Sequence, residues 1–212
     1  MQNNSNIFIS QHPLIKSKLS SLRDTSTTPH IFRNLVNEIS LLLAYESTAN
    51  QKLTQIKIKT PLQETEGVKL KQETSIIPIM RAGLGMVNSF LTVIPTAKVW
   101  HLGLKRDEST LTPIKYYGEK PNTSDIGTCL ILDPMLATGG SASAACSLIK
   151  TWGDFPVINY IGLIAAPEGI ARLQKEHPDV QIYIAGLDKG LNEKGFIIPG
   201  LGDAGDRQFD TV

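Results

Sequence analysis

Three stretches of the sequence carry residue types suited to holding a phosphorylated sugar and a flat base. In the first, Asp133 ends the apolar run Cys129-Leu130-Ile131-Leu132, and Ala137-Thr138-Gly139-Gly140-Ser141 follows as a small, hydroxyl-bearing turn. Such a turn at the start of a helix offers unpaired backbone N–H groups and the positive helix end to an anion. The Thr138 and Ser141 hydroxyls add donors, and a carboxylate one turn upstream accepts hydrogen bonds from sugar hydroxyls. Together they suit a ribose 5-phosphate. Thr138 taken alone reads as an ordinary helix cap; the ligand reading rests on Asp133 and the glycine turn together. This is neither a Walker A loop, whose lysine is missing, nor a G-x-G-x-x-G dinucleotide turn. In the second stretch, Arg81 follows Ser75-Ile76-Ile77-Pro78-Ile79 and precedes Ala82-Gly83-Leu84-Gly85. A guanidinium beside exposed backbone N–H groups suits a diphosphate, the plain alternative being a surface arginine near a helix start. In the third, Phe196-Ile197-Ile198 leads into a glycine-rich run ending at Arg207. Glycines let the backbone approach a heterocycle closely and read its edge.

Other chemical candidates are weaker. Lys105-Arg106 opens a polar stretch reaching Asn122, with Pro113, Gly118 and Pro121. It reads as a long loop able to close a cation over a charged substrate, or as a solvated charge run. His12, His30, His101 and His177 form no visible constellation, and no Ser-His-Asp or Cys-His spacing stands out. Cys129 and Cys146 fit a strand and a helix as small buried hydrophobes.

The elements that must position these residues alternate. Pro29–Tyr45 has the spacing of an amphipathic helix. Residues 50–73 read as a small antiparallel addition. Strands are expected at 75–79, 98–102, 129–132, 157–164 and 181–185. Helices are expected after Gly85, from Ser141, and from Pro167-Glu168, where proline and an acid suit a helix start. Residues 1–10 read as loose, and residues 186–212 show little periodicity. The alternation predicts an open, mostly parallel, doubly wound α/β sheet, whose ligands bind beyond the carboxyl ends of strands. Asp133 and both glycine turns fall there.

Length and charge bound the function. The 212 residues suffice for one well-packed domain. A net charge of +1 gives no global field toward nucleic acid or membrane. No metal spacing, disulfide framework or membrane-length apolar run is present, and a cytoplasmic setting is expected. Residues 1–23 lack acids, a transit-peptide trait.

The run from Leu132 to Ser141, Leu-Asp-Pro-Met-Leu-Ala-Thr-Gly-Gly-Ser, resembles the phosphoribosyl-diphosphate signature of type I phosphoribosyltransferases, in the form found in uracil phosphoribosyltransferases. Similar stretches are His12–Lys16, Pro78–Met86, Ala165–Ile170, Gly190–Glu193 and Ile197–Arg207, so the resemblance covers the chain from residue 12 and makes its N-terminus part of the fold. It implies a type I phosphoribosyltransferase-like fold as one domain over residues 1–212, with a base-binding hood contributed by residues about 186–212 and by an N-proximal β addition. It implies transfer of phosphoribosyl from 5-phosphoribosyl 1-diphosphate to uracil N1, giving UMP and diphosphate, a pyrimidine salvage reaction.

The resemblance also implies residue roles. Asp133 would hold the ribose hydroxyls, with Pro134, Met135 and Leu136 leading into Ala137, Thr138, Gly139, Gly140 and Ser141 on the 5-phosphate. Arg81, with Ala82 and Gly83, would take the diphosphate, and Arg106 would close over it. Ile197, Gly202, Asp203 and Ala204 would read uracil, with Asp203 also near the diphosphate or its Mg²⁺. Asp133, Arg81, Arg106 and Asp203 form the expected catalytic set. Either Asp203 through water or the diphosphate itself would take the uracil N1 proton. Mg²⁺ is expected on the substrate, without direct protein ligands. A homodimer or larger assembly is implied, and GTP activation stays open. The chain departs from the family with Leu104 and Lys105 in the loop and Asn50 where an acid is common. A rival reading is a nucleotide-sensing, RNA-binding regulator, which calls for a basic stripe. Orotate specificity calls for a cation in residues 196–206, and none is there.

Overall fold

The computed structural model describes residues 6–106 and 113–211, with the side chains of residues 105, 106, 113 and 114 outside that description. The chain opens with β1 (Ile7–Ile9), α1 (Pro13–Arg23), α2 (Pro29–Ser47), the pair β2 (Leu53–Lys59) and β3 (Glu64–Leu70), and β4 (Glu73–Met80). It continues with α3 (Leu84–Val93), β5 (Lys98–Val99), β6 (Leu102–Arg106), β7 (Pro113–Tyr117), β8 (Ile126–Leu132), β9 (Met135–Leu136) and α4 (Gly140–Trp152). It ends with β10 (Val157–Ala165), α5 (Pro167–Glu176), β11 (Gln181–Leu187), β12 (Gly190–Leu191), β13 (Ile197–Ile198) and α6 (Ala204–Phe209).

The main sheet runs β1-β11-β10-β8-β4-β6-β7, parallel throughout except for β7 against β6. β4, β8, β10 and β11 read as near-continuous apolar runs because both of their faces are covered. On one face Phe32, Val36 and Ile39 of α2 and Met86 and Phe90 of α3 pack on Ile76, Leu130 and Ile161. On the other, Ala145, Cys146 and Ile149 of α4 and Ile170 and Leu173 of α5 pack on Ile77, Ile131 and Ile184. The sheet is thus the expected doubly wound α/β arrangement. Both cysteines are buried and unpaired, and burial pushes their thiols up to about 12, so they are the inert hydrophobes their positions suggest.

Strand order locates the site. From β4 the chain moves to β6 on one side, then returns as β8 on the other. The crevice between the carboxyl ends of β4 and β8 is therefore the topological switch point, where open sheets bind ligands.

Three local expectations need correction. Of the segment expected to be loose, residues 6–10 are held in place, and residues 1–5 lie outside the described residues: Ile7, Phe8 and Ile9 pair in parallel with Ile182, Tyr183 and Ile184, and Phe8 stacks on Tyr183 with ring centroids 4.5 Å apart. The strand expected over 98–102 is broken, with β5 ending at Val99 and β6 starting at Leu102. The expected long loop contains the antiparallel ribbon β6–β7; its residues 107–112 lie outside the described residues. The C-terminal stretch forms the antiparallel pair β12–β13 and then α6. The anticipated antiparallel addition is present as β2–β3, a separate two-stranded sheet.

Candidate active site

Asp133 directly follows β8, and its backbone is clamped by β10. Its N–H donates to the Ile161 carbonyl at 3.1 Å, and the fully buried Tyr160 hydroxyl donates to its carbonyl at 2.9 Å. The Pro134 carbonyl accepts from Leu163 and Ile164, and β9 continues the pairing at Met135 and Leu136. The acid is held by sheet, not by loop, which suits a group that must stay in place. Burial pushes its carboxyl up to about 7; the Met135 N–H opposes that rise and the Asp203 carboxylate adds to it.

The phosphate-suited turn follows at once. Gly139 occupies the cap position of α4 with φ 77°, and no side chain caps the helix. Thr138 is therefore not the helix cap; the left-handed backbone, which glycine alone adopts cheaply, has displaced it by one residue. The opening N–H groups of α4 have no intrahelical acceptor, so this end is prepared for an external anion. Ala137 and Thr138 are partly open to solvent, Gly139 and Gly140 are buried, and Ser141 is exposed.

The second turn leaves β4 through a cis peptide bond between Met80 and Arg81. Gly83 N–H donates to Ile79 O at 3.0 Å and Leu84 N–H to Arg81 O at 3.1 Å. A β-carbon at Gly83 would overlap the Leu132 carbonyl oxygen, so the two turns touch backbone to backbone at the switch point. The Arg81 guanidinium is half-exposed and reaches the hood, pairing with Asp206 at 3.0 Å and meeting Thr211 at 3.4 Å. The Thr211 hydroxyl, and then Arg81, hold the Asp206 carboxyl below its usual range.

The hood supplies the third wall. Gly202 has φ 79°, and Asp203 caps α6 by accepting from Asp206 N–H at 3.0 Å. At Gly205 a β-carbon would stand 3.2 Å from Asp203 Oδ1, 3.8 Å from Ala82 Cβ and 3.9 Å from Arg81 Nη2. Arg81, Ala82, Asp203 and Asp206 thus converge, with Asp133 within electrostatic reach of Asp203. Ala204 is buried. The Ile197 side chain belongs to the core cluster with Leu201 and Ala204, so only its backbone is available to a ligand. Arg106 ends β6, and its side chain lies outside the described residues.

Sequence reasoning missed the residues that hold the hood in place. Arg23 of α1 grips Asp188 with both guanidinium nitrogens and also donates to Gly200 O at 2.6 Å, while Asp188 accepts from Gly200 N–H at 2.9 Å. Arg207 donates to Leu22, Leu201 and Asp24 carbonyls and lies 4.5 Å over the Phe32 ring. Glu168, read from sequence as a partner of the helix dipole, also accepts from Leu191 N–H at 3.1 Å. His177 is buried between α4 and α5, where it meets Ser143 and Ser147; it serves that seam and lies outside the cleft.

Residues 9–211 match the family described as uracil phosphoribosyltransferase. The chain is 53% identical over 205 residues to the uracil phosphoribosyltransferase of Roseiflexus castenholzii, covering 97% of this chain and 98% of that protein. It is 50% identical over 208 residues to the uracil phosphoribosyltransferase of Finegoldia magna, covering 98% and 99%. Among solved structures, the AQ2163 protein from Aquifex aeolicus superposes with a TM-score of 0.91 at 37% identity, covering 97% of this chain and 98% of that one. Adenine phosphoribosyl transferase from Trypanosoma brucei, at 12% identity and a TM-score of 0.53 over 93% of this chain and 88% of its own, shares the fold.

Proposed function

We infer that this chain, which belongs to the uracil phosphoribosyltransferase family, joins uracil to 5-phosphoribosyl 1-diphosphate in the cleft at the β4/β8 switch point. The products are UMP and diphosphate, so the enzyme is a pentosyltransferase of pyrimidine salvage. The observation that carries this reading is the uncapped N-terminus of α4, opened by left-handed Gly139, one turn beyond a sheet-anchored Asp133. An anion seat and a sugar-hydroxyl acceptor at that separation fit ribose 5-phosphate.

The transfer develops positive charge at the ribose C1 as diphosphate leaves, and uracil N1 attacks. The protein's work is positioning and charge. Residues 137–141 anchor the 5-phosphate, so remote binding energy goes into orientation. Asp133 fixes the ribose through its hydroxyls. Arg81, with the Ala82 and Gly83 backbone, stabilises the departing diphosphate once the guanidinium shares or leaves Asp206. Gly202 to Ala204 and the Ile197 backbone read the uracil edge, and Arg106 closes the site. The N1 proton passes to Asp203 through water or to the diphosphate. Mg²⁺ fits this donor set as a substrate-borne ion. Asp203 and Asp206 lie beside Arg81, and Mg²⁺ commonly binds through substrate phosphates and few carboxylates. When bound it would supply charge neutralisation on the diphosphate.

Initial rates of UMP formation test the reading, with uracil compared against cytosine, orotate and hypoxanthine, with and without Mg²⁺. Turnover with uracil alone, dependent on Mg²⁺, is expected. Arg81→Ala is expected to lower kcat/KM for phosphoribosyl diphosphate about 10²-fold, with the KM for uracil little changed. Turnover with another base but not uracil, or an unaltered Arg81→Ala enzyme, would overturn the assignment.

The same reading includes a homodimer or larger assembly. Its support is the β2–β3 hairpin: a two-stranded sheet is marginal alone in water, and this one exposes Leu53, Leu62 and Val68, Leu62 at 95%. Leu62→Lys with Val68→Lys is expected to shift the sedimentation coefficient toward that of a monomer; an unchanged assembly removes the hairpin from the contact. GTP as an activator rests on family membership alone, and a GTP titration in the rate assay decides it. We assign the enzyme to the cytoplasm on its family membership alone; no described helix is long and apolar enough to cross a membrane.

A further inference from the structure

Gln208 is fully buried, although glutamine is a residue type of the surface. Its carboxamide lies in the seam between the hood and the diphosphate turn. Nε2 donates to Ala82 O at 3.1 Å and to Ala204 O at 2.9 Å. Oε1 is buried with no hydrogen-bond partner among the described residues. It lies over Gly85, where a β-carbon would overlap it. The Gln208 carbonyl accepts from Arg33 Nη1 at 2.7 Å, which fixes this turn of α6 on α2. One side chain therefore grips the residue after Arg81 and the residue after Asp203.

Burying a carboxamide with its oxygen unpaired disfavours the folded state, and an apolar side chain of equal length would fill the seam without that cost. What the amide adds is direction. Its bond to Ala82 O fixes the plane of the Ala82–Gly83 peptide, whose N–H is already committed to Ile79 O. Its bond to Ala204 O fixes the following peptide, which leads to Gly205 beside Arg81. Neither turn can rotate without disturbing the other.

We propose that Gln208 is a positioning residue that couples the two substrate sites, passing the order imposed on the diphosphate turn by phosphoribosyl diphosphate to the uracil-reading backbone of the hood. This rests on the cleft assignment above. Coupling of this kind is reciprocal in binding free energy, so it is measured as a ratio of affinities.

The test uses the full-length enzyme, uracil, and an unreactive carbocyclic analogue of phosphoribosyl diphosphate, with calorimetric titration of uracil in the presence and absence of the analogue. In the native protein the analogue is expected to tighten uracil binding about tenfold or more. In Gln208→Met, similar in length and without a donor, the ratio should fall below about threefold. Uracil binding without the analogue should stay unchanged, and the thermal midpoint should not fall. Kinetically, the KM for uracil at saturating phosphoribosyl diphosphate should rise with little change in kcat. Gln208→Leu is the second variant and is expected to behave alike. A merely structural role would lower the thermal midpoint and leave the ratio intact. An undiminished ratio in both variants, or a native ratio near one, overturns the proposal while leaving UMP synthesis standing. A native enzyme that makes no UMP overturns the cleft assignment itself.

Discussion

Asp133→Asn is expected to lower kcat/KM for phosphoribosyl diphosphate at pH 8 by about 10²-fold, and to raise the thermal midpoint at that pH by about 2–6 °C. The two effects share one cause. Burial lifts the Asp133 carboxyl from the ordinary 3.8 to about 7, so the folded protein holds that proton more tightly than the unfolded chain. Stability contributed by the protonated form is fully present below pH 3.8 and is lost as pH rises through 7. Above pH 7 the fold carries an ionised acid in a place that disfavours it. A rise of that size would correspond to about 4 kcal/mol for a wholly buried group. Asp133 keeps some solvent contact, and about 1–2 kcal/mol is the expected cost. Asparagine removes this cost together with the anionic acceptor for the ribose hydroxyls. The stability gain should shrink at pH 5, where the native carboxyl is already protonated. In the native enzyme kcat/KM should climb as pH rises through about 7, and in Asp133→Asn that limb should be absent. Calorimetry at pH 5 and 8, beside a pH profile of kcat/KM, checks both parts. Unaltered kinetics, or a lower midpoint at pH 8, would sink the account.

Asp133 and its turn were readable from sequence because strand, acid, glycines and helix lie within about twenty consecutive residues, and each residue type has a local reason to be there. The anchors of the hood had no such signal. Arg23 meets Asp188 across 165 residues, and Gln208 meets Ala82 across 126; neither residue is unusual in its own neighbourhood. β1 escaped notice because three residues carry little periodicity, and what orders them is pairing to β11 and the Phe8–Tyr183 stack. The β6–β7 ribbon was hidden by Pro113, which sits at the first position of β7, a place where a strand tolerates proline. Thr138 misled for a simpler reason. Hydroxyl residues near helix starts usually cap them, and only the φ of Gly139 shows that the chain turned by another route.

The hood anchors also explain how two adjacent residues on α5, neither bearing a reacting atom, come to serve different substrates. Gly169→Ala is expected to raise the KM for phosphoribosyl diphosphate by about 30-fold or more. A methyl group there would overlap the Ala137 carbonyl and stand 2.7 Å from the Leu136 carbonyl. The Gly169 carbonyl also lies against Gly139, where an added β-carbon would stand 2.8 Å from it, so α5 and the phosphate turn are in close backbone contact at two points. The phosphate turn must therefore move, and a displacement of about 1 Å in a positioning element costs about 10²-fold. The overpacking should also lower stability by about 1–3 kcal/mol. Glu168→Ala acts one residue earlier and in another direction. It releases the Leu191 N–H that holds β12 to α5, so it should raise the KM for uracil and spare the KM for phosphoribosyl diphosphate. Steady-state kinetics on the two variants, with both substrates varied, tests this split. If Gly169→Ala leaves the phosphoribosyl-diphosphate KM within about threefold of native, α5 does not set the phosphate turn, and its rigidity must come from β9 and β10 alone.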